Sequence, residues 1–147
     1  MELVIITPKN YEQASKLSVY PEQEKLIASI QKSLADSFVH KGALFKLAVH
    51  KKCVIGYVMI FPYKKSNKNL VNIVRIMIDK NYQGKGLGKE LLNKTIMWIK
   101  RMEPKVSTIR ISTKIENTLA IGLYESEGFV QKGIEDGEIA LYKDLTV

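Results

Sequence analysis

Seven consecutive residues carry the strongest chemical signal in the chain: Gln83-Gly84-Lys85-Gly86-Leu87-Gly88-Lys89. They follow the apolar run Val71-Asn72-Ile73-Val74-Arg75-Ile76-Met77-Ile78 and lead into Glu90-Leu91-Leu92. That order reads as a strand, a glycine-rich turn and the start of a helix. Glycines let the backbone turn sharply and approach a ligand, so that successive amide N–H groups and the positive end of the helix dipole converge on an anion. The chemistry expected of this segment is pyrophosphate binding.

Spacing separates the kinds of phosphate loop. A dinucleotide fingerprint needs Gly-x-Gly-x-x-Gly, whereas the order here is Gly84-Lys85-Gly86-Leu87-Gly88. A nucleoside-triphosphatase loop needs Ser or Thr after its Gly-Lys pair, and Gly88-Lys89 is followed by Glu90, which cannot replace a magnesium-binding hydroxyl. What remains is Gln-x-x-Gly-x-Gly, and here the chain resembles the GNAT acetyltransferases, whose acetyl-CoA loop has this form after a strand. A second stretch, Asn117-Thr118-Leu119-Ala120-Ile121-Gly122-Leu123-Tyr124-Glu125-Ser126-Glu127-Gly128-Phe129, resembles that family's other CoA-contacting segment. Asn117 is a good N-cap and Gly128 a good helix stop, with Leu119, Ala120, Leu123 and Phe129 expected to form a buried stripe.

The resemblance implies an α/β fold of the α+β kind: a mixed, mainly antiparallel central sheet flanked by helices and splayed at the acetyl-CoA site. It implies an acetyl-CoA-dependent N-acetyltransferase. The loop from Gln83 through Gly84, Lys85, Gly86, Leu87 and Gly88 to Lys89 would hold the phosphates, with Lys85 and Lys89 adding positive charge. Ile76, Met77 and Ile78 would offer main-chain contacts to the pantetheine arm, joined by Asn117. Tyr124 would be the catalytic acid for the departing thiolate. Three segments, Val19 to Ser29, Arg75 to Asp79 and Asp136 to Glu138, look like the bacterial spermine/spermidine acetyltransferase branch. On that match Glu22, Glu24 and Glu138 would face an ammonium group of the acceptor. A polyamine is therefore the expected substrate, with a protein N-terminus, a lysine or an aminoglycoside as alternatives, and a non-catalytic CoA-binding module as the reading from another class.

The elements that must position these residues alternate between α and β along a single domain of residues 1–147. Leu3 to Thr7 reads as a strand and Pro8 to Leu17 as a short helix begun by Thr7-Pro8. Pro21-Glu22-Gln23-Glu24 opens a longer helix whose apolar residues Leu26, Ile27, Ile30, Leu34 and Phe38 recur at three and four positions. Leu44 to Val49 and Val54 to Phe61 form a hairpin across His50-Lys51-Lys52. Val71 to Ile78 is a strand, Gly86 to Met102 a helix, and Val106 to Thr113 a strand with Ile109 and Ile111 alternating against Arg110. The Asn117 helix follows, and Phe129 to Ile134 with Glu138 to Leu145 make a closing hairpin. Arg75 interrupts an apolar strand, and an acid of the Glu22 helix is its expected partner.

Composition bounds the function. With 147 residues, 46% of them hydrophobic, the chain can bury a sizeable core. Cys53 is the one cysteine, so neither a disulfide framework nor a cysteine-rich metal site is available, and its apolar neighbours suggest a buried, inert thiol. His40 and His50 have no metal-ligand spacing, and no metal cofactor is expected. The net charge of +8 raises a nucleic-acid partner, but the lysines of Tyr63-Lys64-Lys65-Ser66-Asn67-Lys68 and of Lys85 to Arg101 show no aromatic-and-basic stacking signature or zinc-finger spacing. No apolar run approaches a membrane span, and Met1-Glu2-Leu3-Val4 does not resemble a signal peptide. The expected partner is a small amine in the cytoplasm, with neither nucleic acid nor membrane, and a homodimer is left open.

Overall fold

A computed structural model describes residues 1–63 and 69–145; the lysine-rich stretch 64–68 and residues 146–147 lie outside the described residues. Seven strands form one sheet in the order β1-β2-β3-β4-β5-β7-β6, with β1 Glu2–Val4, β2 Leu44–His50, β3 Cys53–Tyr63, β4 Leu70–Ile78, β5 Thr108–Thr113, β6 Val130–Glu135 and β7 Glu138–Asp144. Neighbouring strands are antiparallel except β4 and β5. The helices are α1 Tyr11–Ser15, α2 Ile30–Val39, α3 Leu87–Met102 and α4 Thr118–Ser126. This is the mixed, mainly antiparallel sheet with flanking helices that the sequence led us to expect.

Two hairpins follow from their turns. His50 pairs with Cys53, so the connection is Lys51-Lys52, both at positive φ (49° and 66°). Glu135 pairs with Glu138 across Asp136-Gly137, again at positive φ (51° and 79°). Two central residues at positive φ match the twist of the strands they join. Cys53 then emerges directly from a turn and is exposed, which corrects the expectation of a buried thiol.

Long-range packing follows the apolar periodicities. α3 presents Leu87, Leu91, Leu92, Thr95, Ile96, Trp98 and Ile99 to one face of the sheet, where they meet Val58, Ile60, Val71, Ile73, Ile109 and Ile111. Leu91, Leu92 and Ile99 are fully buried, each contributing about 1.5–3 kcal/mol of apolar burial. The opposite face carries a smaller core in which Ala14, Leu17 and Ile30 of the α1–α2 region cover Leu47, Val54, Tyr57 and Met77.

The expected helix opened by Pro21 does not run unbroken to Phe38. Pro21–Gln23 makes a short 3-10 turn, and α2 begins only after Ser29, whose hydroxyl accepts from the Lys32 amide at 3.1 Å. A serine N-cap resets the helix and frees Leu26 and Ile27 to line a cavity. α2 buries Ile30 and Ser33, a face that leaves Phe38 92% exposed. Ser29→Ala should lower stability by about 0.5–2 kcal/mol in a denaturant titration, and an unchanged midpoint would remove the cap from this account. β1 ends at Val4 and α1 begins at Tyr11, both shorter than expected, because Thr7 and Asn10 build the intervening turn: Asn10 accepts from the Thr7 amide at 2.8 Å.

Candidate active site

The site begins with a break in the sheet. β4 and β5 pair in parallel from Leu70–Thr108 to Ile73–Ile111 and no further, although β4 continues to Ile78. On the other side of β4, Met59 pairs with Arg75 and Ile60 with Ile73, leaving Val74 as a bulge where the β5 pairing stops. Backbone N–H and C=O groups alternate between the two edges of a strand, so beyond the bulge some of those in Val74–Ile78 turn toward a gap with no β5 partner. Ile76, Met77 and Ile78 all line the cavity that opens there.

At the end of β4 the glycine loop feeds α3. Gly84 and Gly86 have φ of 75° and 78°, a left-handed backbone that side chains disfavour, and Gly86 is the N-cap of α3. A Cβ at either glycine would meet nothing within 4 Å, so the loop faces open space. The first amides of a helix have no intrahelical acceptor, and α3 has no side-chain cap. Those of Gly86 to Lys89 therefore remain available at the positive end of a 16-residue helix, a fit for phosphate oxygens.

The side chains of the loop divide. Gln83 faces inward, donating to the Ile78 carbonyl at 3.0 Å and exchanging hydrogen bonds with the Gln23 amide at 3.0 Å. It braces the loop rather than reaching for a ligand. Leu87 is buried in the core, and Gly88 lines the cavity against Leu123. Lys85 is exposed with its ammonium 5.6 Å from the Tyr82 ring centre, and Lys89 pairs with Glu127 at 3.3 Å. Asp79, 5% exposed, accepts from the Ser18 and Asn81 amides and ties the loop to the chain after α1.

From the loop a mainly apolar cavity of about 280 Å³ runs along the gap between Ile76–Ile78 and α4. A second cavity of about 500 Å³ lies beyond, and the two share Leu26, Ile27, Ile76, Asn117 and Tyr124. Asn117 caps α4, accepting from the Ala120 amide at 3.4 Å and donating to the Thr113 hydroxyl at 3.0 Å, which fixes α4 to the end of β5. Tyr124 is held by burial and by the Phe129 ring, 6.2 Å between centres. No hydrogen bond to its hydroxyl is found among the described residues, nor is any buried side-chain polar atom there without a partner, so this hydroxyl opens onto the cavities. Burial, and secondarily the charge of Glu138, pushes the phenol well above its ordinary titration range and keeps it protonated. Leu119, expected in the buried stripe, is 81% exposed; Ile121 and Tyr124 are the buried positions of α4, and Leu119 instead borders the first cavity.

The second cavity is more polar than the first. Glu138 lines it and accepts from the Ser112 hydroxyl at 2.9 Å. Arg75 lines it too and pairs with Asp36 at 2.8 Å, an acid from the C-terminal half of the helix that the sequence suggested. Lys32 shares that carboxylate at 3.1 Å, and Lys32 followed by Arg75 hold Asp36 below the usual carboxylate range. Glu22 is exposed and lines neither cavity, and Glu24 borders a separate pocket beside α1. Of the three acids expected at the acceptor, Glu138 alone faces this space. Sequence reasoning did not find Gln23, Asp79 or Lys114, whose roles depend on partners 60, 61 and 89 positions away. Among the described residues no group of His, Cys, Asp and Glu is arranged to hold a metal, and no helix is long and apolar enough to cross a membrane.

Residues 8–129 match the model of the acetyltransferase (GNAT) family, and the chain belongs to that family. A probable spermine N(1)-acetyltransferase of Bacillus subtilis subsp. natto is 40% identical over 98 residues, covering 63% of this chain and 64% of the relative. The chain thus spans a little under two thirds of that relative's length. An N-acetylaspartate synthetase of Xenopus tropicalis is 33% identical over 98 residues, 67% of this chain and 35% of that protein. The fold matches that of a PaiA N-acetyltransferase from Thermoplasma acidophilum solved with coenzyme A, at 19% identity and a TM-score of 0.69 over 97% of this chain and 98% of that one.

Proposed function

We propose that this chain is an N-acetyltransferase that moves the acetyl group of acetyl-CoA to the primary amine of a small molecule. The observation that carries the reading is the position of Tyr124, an open, protonated phenol where a cavity leading from a phosphate-binding helix start meets a second, more polar cavity. Acetyl-CoA supplies the activated acetyl thioester. The amides of Gly86 to Lys89 would hold its phosphates, and the gap beside Ile76–Ile78 would take the pantetheine arm. A main-chain N–H facing the gap would bind the thioester oxygen as it gains charge, a role worth about 2.7–4 kcal/mol per donor in acyl transfer. Tyr124 would give its proton to the departing sulfur. A primary amine titrates near 10.4 and must be neutral to attack; Glu138, which lines the second cavity with Tyr124, would bind the ammonium and receive its proton.

Purified protein with acetyl-CoA and a panel of amines should release free thiol only when a primary amine is present. Thiol release that no amine accelerates would overturn the reading. Glu138→Gln should raise KM for the amine by about ten- to a hundredfold through loss of a charge-assisted contact and lower kcat through loss of the proton acceptor, with affinity for acetyl-CoA retained. An unaltered KM would take Glu138 out of the site.

A polyamine acceptor is supported by the Bacillus relative's name and by Glu138. An acceptor with an acidic group is favoured by the Xenopus relative's name and by the cations around the second cavity.

A further inference from the structure

The second cavity is lined by one carboxylate and four cations. Glu138 lines it together with Tyr124, accepts from the Ser112 hydroxyl, and has no ion-pair partner among the described residues. Lys25, Lys32, Arg75 and Lys114 line it as well, and the β5–β7 register sets Lys114 next to Glu138. Of these four cations, Arg75 and Lys32 share the Asp36 carboxylate. The Lys114 ammonium spans from the end of β5 to donate to the Lys25 carbonyl at 2.5 Å. Neither Lys114 nor Lys25 has a carboxylate partner among the described residues. The Lys114 ammonium, held by one carbonyl, keeps two N–H donors free, and together with the exposed Lys25 beside it leaves an excess of positive charge over the cavity.

We infer that the acceptor is a small primary amine that carries its own oxyanion, a carboxylate or a phosphate, seated between Lys25 and Lys114 while its ammonium lies at Glu138. This rests on the acetyltransferase reading and narrows its acceptor. A polyamine would have to push its distal ammonium groups into the lysines, and the net charge of +8 would oppose its approach. An acidic amine meets opposite charge for both of its groups, its oxyanion at the lysines and its ammonium at Glu138, which presents the amine to the space beside Tyr124.

The test compares kcat/KM for aspartate, O-phosphoethanolamine, butylamine and spermidine. At least one acidic amine should exceed spermidine tenfold or more, and the preferred member of the pair tells carboxylate from phosphate. Lys114→Glu and Lys25→Glu change exposed side chains, and thermal melts check that they fold. Each should raise KM for the acidic amine by about ten- to a hundredfold, lower the acidic-to-butylamine ratio of kcat/KM to match, and lower KM for spermidine. Wild-type preference for spermidine, or equal losses on acidic and neutral amines, would overturn the inference and leave the acetyltransferase reading standing. Turnover of an acidic peptide's N-terminus without either small acidic amine would also overturn it. If no amine is acetylated, the acetyltransferase reading fails, and calorimetry still decides the anion site: N-acetylaspartate or inorganic phosphate should bind wild type at least tenfold tighter than Lys114→Glu, and equal affinities would overturn it.

Discussion

Tyr124→Phe should lower kcat by about 10²–10⁴, the span of a positioned acid, while the melting temperature and the affinity for acetyl-CoA stay close to wild type. The structure separates these readouts. The ring packs in the core beside Phe129, and phenylalanine retains that packing. The hydroxyl has no hydrogen-bond partner among the described residues, so its removal orphans no buried group. Its loss is felt only by what enters the cavities. The pH profile gives a second check. An acid works while protonated, and burial followed by Glu138 raises this phenol above its usual value of about 10, so it stays protonated throughout an ordinary assay. The wild-type rate should therefore climb with pH as the amine loses its proton, with no alkaline fall below about pH 9. Wild-type turnover in Tyr124→Phe would return the residue to a packing role.

How much of this site could be read in the sequence depends on how local its signals are. The glycine loop and α3 were legible because the strand, turn and helix start are contiguous and the α3 stripe is regular. The two hairpin turns were legible for the same reason. α2 was harder: apolar residues at three- and four-residue spacing continue through Ser29, and periodicity alone does not reveal that its hydroxyl caps a new helix. Leu119 and Phe38 belong to apolar patterns, yet the buried faces of their helices are set by partners elsewhere, Ile121 with Tyr124 in α4 and Ile30 with Ser33 in α2. Gln83 is the sharpest case, a motif residue whose side chain is occupied by Gln23 from 60 positions earlier. The charge of the second cavity is likewise invisible along the chain, because Lys25, Arg75 and Lys114 come together only when the loop before α2, the β4 bulge and the end of β5 meet.

Gly86→Asp should weaken acetyl-CoA binding by about 10²–10⁴-fold while leaving the protein folded. The residue stands at φ 78°, where aspartate is among the few side chains that tolerate a left-handed backbone, so the cost to stability is on the order of 1–2 kcal/mol. Nothing within 4 Å blocks the new Cβ, which places the carboxylate in the open space that phosphate oxygens would take. Binding then loses in two ways: the fixed negative charge repels the phosphates, and the helix-start amides serve the new carboxylate instead. Each charge-assisted hydrogen bond lost is worth about 1.5–3 kcal/mol, and two of them account for the expected range. Gly86→Ala bears at least as much backbone strain without the charge and should bind far better than Gly86→Asp. Calorimetry that finds the two variants alike would trace the effect to backbone strain, and wild-type affinity in a folded Gly86→Asp protein would move the phosphates away from the start of α3.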